Sequence, residues 1–198
     1  MLPKGWTVED ARNLFSNNLR GALQESNVLD YVVNVMVDFL QSRKLEIVSD
    51  QKPLSVKVDE LWNNKDRHKS YLGFKGIGDT YLWLCGFMPE NLSKRRKHQL
   101  GVGWYVAKGR DAYNGAIYLA NAHRIRYSPT DILCKVSDRF ERCSRAMLEM
   151  RARLSNKGII MEPEVAREIS DVLNYGNDIA VHLARIAGEE RPYLRIVI

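Results

Sequence analysis

Seven apolar side chains, Leu133, Val136, Phe140, Cys143, Met147, Met150 and Leu154, recur at spacings of 3, 4, 3, 4, 3 and 4. That period belongs to one face of an α-helix, because a strand alternates with period two. A seam this regular has two readings. It is the inner wall of a helical bundle, or the seam between two copies of the chain. Ser128-Pro129-Thr130-Asp131 precedes it. Ser128 suits an N-cap, Pro129 the first helical position, and Asp131 the closing acid of a capping box. One helix is therefore expected up to Gly158. It would carry Cys134 and Cys143 about 13 Å apart along its axis, at ~1.5 Å per residue. A disulfide needs Cα atoms within about 7 Å. The three cysteines thus read as buried free thiols of a cytosolic protein.

Other segments carry the same period. Val28, Leu29, Val32, Val33, Met36, Phe39 and Leu40 predict a helix over 28–43, with Ser26 or Asn27 as its cap. Thr7, followed by Glu9 and Asp10, predicts a helix start, with apolar positions running to about residue 23. A further helix is expected over 103–124, with Val106, Gly109, Tyr113, Ala116, Ile117 and Ala120 on one face. Residues 54–75 fit a short helix or a packed loop. Gly73, Gly76 and Gly78 read as punctuation before a helical apolar run at 80–87, which Pro89 ends. Residues 44–53 read as a connection, with an extended stretch at 45–48. Pro163 opens a helical segment that Gly188 closes, and 192–198 has the composition of an extended tail. The fold class expected is all-α, a single-domain irregular helical bundle of about six to eight helices over residues 1–198.

A chain of 198 residues with 45% apolar side chains buries enough surface to fold without a metal or disulfides. No stretch reaches the ~18 apolar residues of a membrane span, and the first ten residues lack the apolar core of a signal peptide. A cytoplasmic location is expected.

The net charge of +6 is uneven. Residues 1–90 hold 11 basic and 12 acidic side chains, 91–153 hold 14 and 5, and 154–198 hold 5 and 7. The excess is densest at Lys94, Arg95, Arg96 and Lys97, with Lys108 and Arg110 beyond. Such a patch suits nucleic acid, phosphate, an acidic partner or an anionic membrane surface. Part of it has a plainer reading. Asp138 with Arg142, Glu141 with Arg145, and Glu149 with Arg153 have the i,i+4 spacing of exposed helix ion pairs.

Catalytic motifs are sparse. The four histidines form no H-E-x-x-H or E-x-x-H pair, and Asp178 with His182 supplies only two ligands, so no metal and no cofactor is expected. There is no C-x-x-C and no G-x-S-x-G. Phe74-Lys75-Gly76-Ile77-Gly78 has the look of a helix-hairpin-helix turn, which offers backbone N–H groups to DNA phosphate. Asp79 suits a helix N-cap, or a buried partner for an arginine or tyrosine. Tyr105, Gly109 and Tyr113 fall on one helix face. Glycine there costs about 1 kcal/mol against alanine, so a close helix or ligand must lie against it.

The run Gly78-Asp79-Thr80-Tyr81-Leu82-Trp83-Leu84-Cys85-Gly86-Phe87-Met88-Pro89-Glu90 resembles a G-D-x-x-L-F-x-x-G-F-x-P-E signature of uncharacterised bacterial helical proteins. Tyr105-x-x-x-Gly109-x-x-Ala112-Tyr113 is similar to their second signature. Trp83 stands where that group has Phe. The resemblance implies a bacterial cytosolic helical protein and carries no activity. The expectation is a non-catalytic binding or interaction module that self-associates as a homo-oligomer. Two alternatives accompany it. One is nucleic-acid or phosphate binding through 91–110. The other is an enzyme with a site near Asp79, Tyr105 and Tyr113.

Overall fold

Ten consecutive residues, 78–87, are buried on every side of one helix. A helix apolar all round must be wrapped by others, and it is. The computed structural model describes residues 7–40, 54–87 and 102–156. Among them stand seven helices and no strand: α1 (Val8–Leu19), α2 (Ser26–Leu40), α3 (Leu54–Asn63), α4 (Arg67–Phe87), α5 (Val102–Ala122), α6 (Thr130–Asp138) and α7 (Phe140–Asn156). The buried helix is α4. It packs most extensively on α5, then on α7, with α3 and α2 completing its surroundings. α1 lies on α2 and α7, and α6 joins α5 to α2. The all-α expectation holds.

The α4–α5 contact is close because glycines face rings. A Cβ on Gly78 would stand 2.5 Å from Cδ1 of Tyr113, and one on Gly109 would stand 2.3 Å from Cζ of Phe140 and 3.0 Å from Cβ of Tyr81. Tyr113 of α5 thus lies on the α4 backbone, and Tyr81 of α4 leans on the α5 backbone. This corrects the reading of Gly73, Gly76 and Gly78 as punctuation. All three lie inside one 21-residue helix, and no hairpin forms at 74–78. Helix propensity alone disfavours these positions, and tertiary contact outweighs it. Residues 54–75 likewise resolve into α3 and the first half of α4.

The heptad seam is the bundle's inner wall. Leu133, Val136, Phe140, Cys143, Met147, Met150 and Leu154 are all buried within the chain. The single helix expected there is two. It breaks at Arg139 (φ −109°, ψ 23°), which places exposed Cys134 on α6 and buried Cys143 on α7. The start at 128–131 also differs. The Ser128 hydroxyl donates to the Ile125 carbonyl (3.0 Å), and Pro129 becomes the N-cap with no side-chain bond. At α1 the expected start is present. The Asp10 N–H donates to Thr7 Oγ1 (3.1 Å) and the Thr7 N–H to Asp10 Oδ2 (2.8 Å), a complete capping box. The helix ends at Leu19, short of residue 23.

The arginines of α7 do not use their i,i+4 acids. Arg142 donates from Nε and Nη2 to the Ala22 carbonyl (3.2 and 2.9 Å), and Arg153 from Nη2 to that of Asn18 (2.8 Å). Arg151 donates to the Phe87 carbonyl. The last carbonyls of a helix lack partners within it and carry its negative end. A guanidinium fork satisfies both needs, while a solvated carboxylate on the same helix gains little. The segments 41–53, 88–101 and 157–198 lie outside the described residues. They include the 44–53 connection, Pro89, the basic tetrad, Gly158, the 163–188 segment with Asp178 and His182, and the 192–198 tail. Among the described residues no helix is long and apolar enough to cross a membrane.

Two glycines of α5 make opposite predictions. A Cβ on Gly103 meets nothing within 4 Å. Gly103→Ala should raise stability by up to about 1 kcal/mol in urea unfolding, from helix propensity alone. Gly109→Ala should lower it by about 1–3 kcal/mol through overpacking against Phe140. Equal gains in both would show that the helices do not approach as described.

Candidate functional site

The one carboxylate inside the described core is that of Asp79, fully buried near the middle of α4. Its position follows from the helix. Asp79 follows Gly78, which admits Tyr113 from α5, and the adjoining face of α4 meets α2. Asp79 Oδ1 accepts from the Tyr31 hydroxyl (2.5 Å) of α2 and the Tyr113 hydroxyl (3.0 Å) of α5. Oδ2 accepts from Lys75 Nζ (2.9 Å), one helical turn earlier. Lys75 Nζ also lies 4.9 Å from the centre of the Tyr31 ring. The Tyr31 and Tyr113 rings meet edge to face, with centroids 6.3 Å apart.

A buried carboxylate needs a counter-charge and donors for its lone pairs. Here Lys75 supplies the charge and the two tyrosines the neutral donors. Burial, then the Asp79 charge, pushes both tyrosine hydroxyls well above their ordinary pKa. Both therefore keep the proton they donate. The site is a buried polar centre joining α2, α4 and α5. Of the two roles read from sequence, the N-cap is excluded, since Asp79 lies twelve residues inside α4. The buried-partner role is the one observed.

The sequence grouped Asp79, Tyr105, Gly109 and Tyr113. Of these, a hydrogen bond joins Asp79 to Tyr113. Tyr105 is buried against Tyr81 (centroids 5.9 Å) and Trp104 (5.0 Å), two turns away from Tyr113 along α5. Gly109 lies between them, under Phe140. Tyr31 and Lys75 were missed. Lys75 had a signal, its i,i+4 spacing to Asp79. Tyr31 had a fainter one, a hydroxyl-bearing side chain among the apolar positions of α2.

Other candidates fall away from this centre. Lys108 pairs with Asp111 (2.9 Å), and Arg110 is exposed. Lys94, Arg95, Arg96 and Lys97 lie outside the described residues. Burial pushes the Cys85 thiol up to about 12 and the Cys143 thiol to about 11, which removes the reactive thiolate at neutral pH. A cleft of about 150 Å³ lies between the α1–α2 connection and Arg139 and Arg142. That is below the ~300 Å³ of ordinary ligand pockets. Its acid, Glu25, is taken by Lys135 (2.8 Å) and Arg139. The described residues hold no group of three or more metal-ligating side chains.

The tyrosines make a pH prediction. A pKa raised by folding leaves stability intact below the unfolded value of 10.0 and removes it as pH rises toward the folded one. Tyr31, Tyr81 and Tyr113 should stay un-ionised until the chain unfolds in alkali, which absorbance at 295 nm and circular dichroism would report together. Reversible ionisation of all nine tyrosines in the folded protein would contradict their burial.

No protein-family model, curated protein or solved structure matches the chain.

Proposed function

We propose that this chain is a non-catalytic helical binding module, cytoplasmic, that self-associates and presents its basic third to a partner. The observation that carries the reading is the engagement of both oxygens of Asp79 by the fold's own donors. Its two oxygens hold three donors from two neighbouring helices and its own. A general acid or base needs a free position for substrate, and this carboxylate is committed to the fold. Tyr113, the second group of the enzyme alternative, is committed with it.

Charge supports the binding part. Residues 7–40 hold two basic and five acidic side chains, and 102–156 hold ten and five. Oppositely biased halves steer association with an acidic partner, and of one copy with another.

Asp79→Asn should cost about 2–4 kcal/mol in urea unfolding, because it leaves the Lys75 charge unmatched beside two buried hydroxyls. A variant with unchanged stability would return Asp79 to the list of catalytic candidates. Light scattering coupled to gel filtration tests self-association. The expected result is a multiple of 22.8 kDa at about 50 mM salt, declining toward the monomer at about 500 mM as charges are screened. A monomer at both would remove self-association.

A further inference from the structure

Among the described residues, the strained segment is the turn between α5 and α6. It begins as a helix stop. The Ile125 N–H donates to the Ala120 carbonyl (2.9 Å) and the Arg124 N–H to that of Asn121 (3.4 Å). These are the two bonds of a Schellman motif, and Ile125 makes its accompanying contact with the core. The motif sets the residue after the cap in the left-handed region, where glycine is usual. This chain places Arg124 there, at φ 48°. Three residues on, Tyr127 is left-handed too, at φ 61°. These are the only non-glycine residues with positive φ among those described. Neither residue type favours that region, and a bulky one is a genuine outlier in it.

Packing does not explain the choice. Tyr127 is 99% exposed, and Arg124, Arg126 and His123 are exposed around it. Among the described residues neither arginine guanidinium has an ion-pair or hydrogen-bond partner. This separates them from Arg139, Arg142, Arg151 and Arg153, which the fold uses. The turn thus holds an exposed aromatic ring within three residues of two unengaged guanidinium groups, at a cost in backbone strain. Strain of this kind gathers where side chains must be presented.

We infer that residues 123–127 form a contact for single-stranded nucleic acid, with a base stacked on Tyr127 and backbone phosphates held by Arg124 and Arg126. This rests on reading the chain as a binding module and names the partner class. An open ring beside cations is the common unit of single-strand recognition, since every base has a face to stack. A guanidinium chelates phosphate through two parallel N–H donors. A membrane surface fits less well, because one tyrosine buries too little apolar area to anchor a protein. Asp131 stands in the first turn of α6 and already complements that helix end, so phosphate binding falls to the arginines.

Glycine substitutions separate binding from folding. Arg124→Gly and Tyr127→Gly relieve the strain, so each should raise the Tm. In fluorescence anisotropy with labelled oligo-uridine and oligo-thymidine, the wild-type chain should bind at micromolar concentration near physiological salt. Tyr127→Gly should weaken that binding about tenfold. Arg124→Gly should lower the slope of log affinity against log salt by about 0.7. Binding unchanged in both variants would overturn the assignment and move the contact elsewhere, to 91–110 first. Absence of binding to either oligonucleotide would overturn it as well. So would loss of binding in these variants only toward phosphatidylcholine vesicles carrying about 30% phosphatidylserine, which would make the turn a lipid contact. The binding-module reading fails separately, if Asp79→Asn leaves stability unchanged.

Discussion

The burial of one carboxylate organises this bundle. Asp79 sits in the half of α4 that is buried on all sides, where an unpaired charge would cost several kcal/mol. The fold can keep it only by bringing donors from elsewhere. Tyr31 comes from α2, Tyr113 from α5, and Lys75 from the preceding turn. Each donor then fixes an approach. Tyr113 reaches Oδ1 only because residue 78 is glycine and its ring can lie on the α4 backbone. The close α4–α5 contact and the polar centre are therefore one feature. Apolar packing supplies most of the burial free energy but accepts many registers. Three directional bonds to a single carboxylate accept far fewer.

The same logic governs the periphery. The Asn18 and Phe87 carbonyls at the ends of α1 and α4 need donors, as does that of Ala22 in the α1–α2 connection, and arginines of α7 supply them across the bundle. Glu25 clamps the α1–α2 connection to α6 and the following turn through Lys135 and Arg139. Much of the basic excess in the described middle of the chain is consumed by such contacts. What it leaves exposed and unengaged is concentrated in fewer residues than the net charge suggests, Arg124 and Arg126 among them.

How much of this was legible in the sequence depended on whether a signal was local. The stripe from Leu133 to Leu154 and the apolar face of α2 declared themselves by period, and both are buried as expected. Gly109 was read as needing a close neighbour, and Phe140 and Tyr81 are that neighbour. Gly73, Gly76 and Gly78 misled because helix propensity is a one-helix quantity, whereas their purpose lies in α3 and α5. Asp79 was noticed, but its two tyrosine partners lie 48 and 34 residues away, beyond any spacing rule. The break at Arg139 was hidden because the seam keeps its register across it. Ser128 failed as a cap because Ile125 offered its hydroxyl a nearer acceptor. The left-handed turn at 124–127 was invisible for the opposite reason. Its residues are the wrong ones for the conformation, and only the folded backbone shows a rule being broken.

The central claim is that Tyr31, Tyr113 and Asp79 act as one unit holding three helices in register. A double-mutant cycle between Tyr31→Phe and Tyr113→Phe, measured by urea unfolding, tests it most directly. Each single change should cost about 1 kcal/mol. The pair should cost at least about 0.5 kcal/mol more than their sum, because the second loss strips Oδ1 of its last phenolic donor. Costs that add within about 0.3 kcal/mol would show that the two hydroxyls serve the fold independently, and the account of a single polar centre would be wrong.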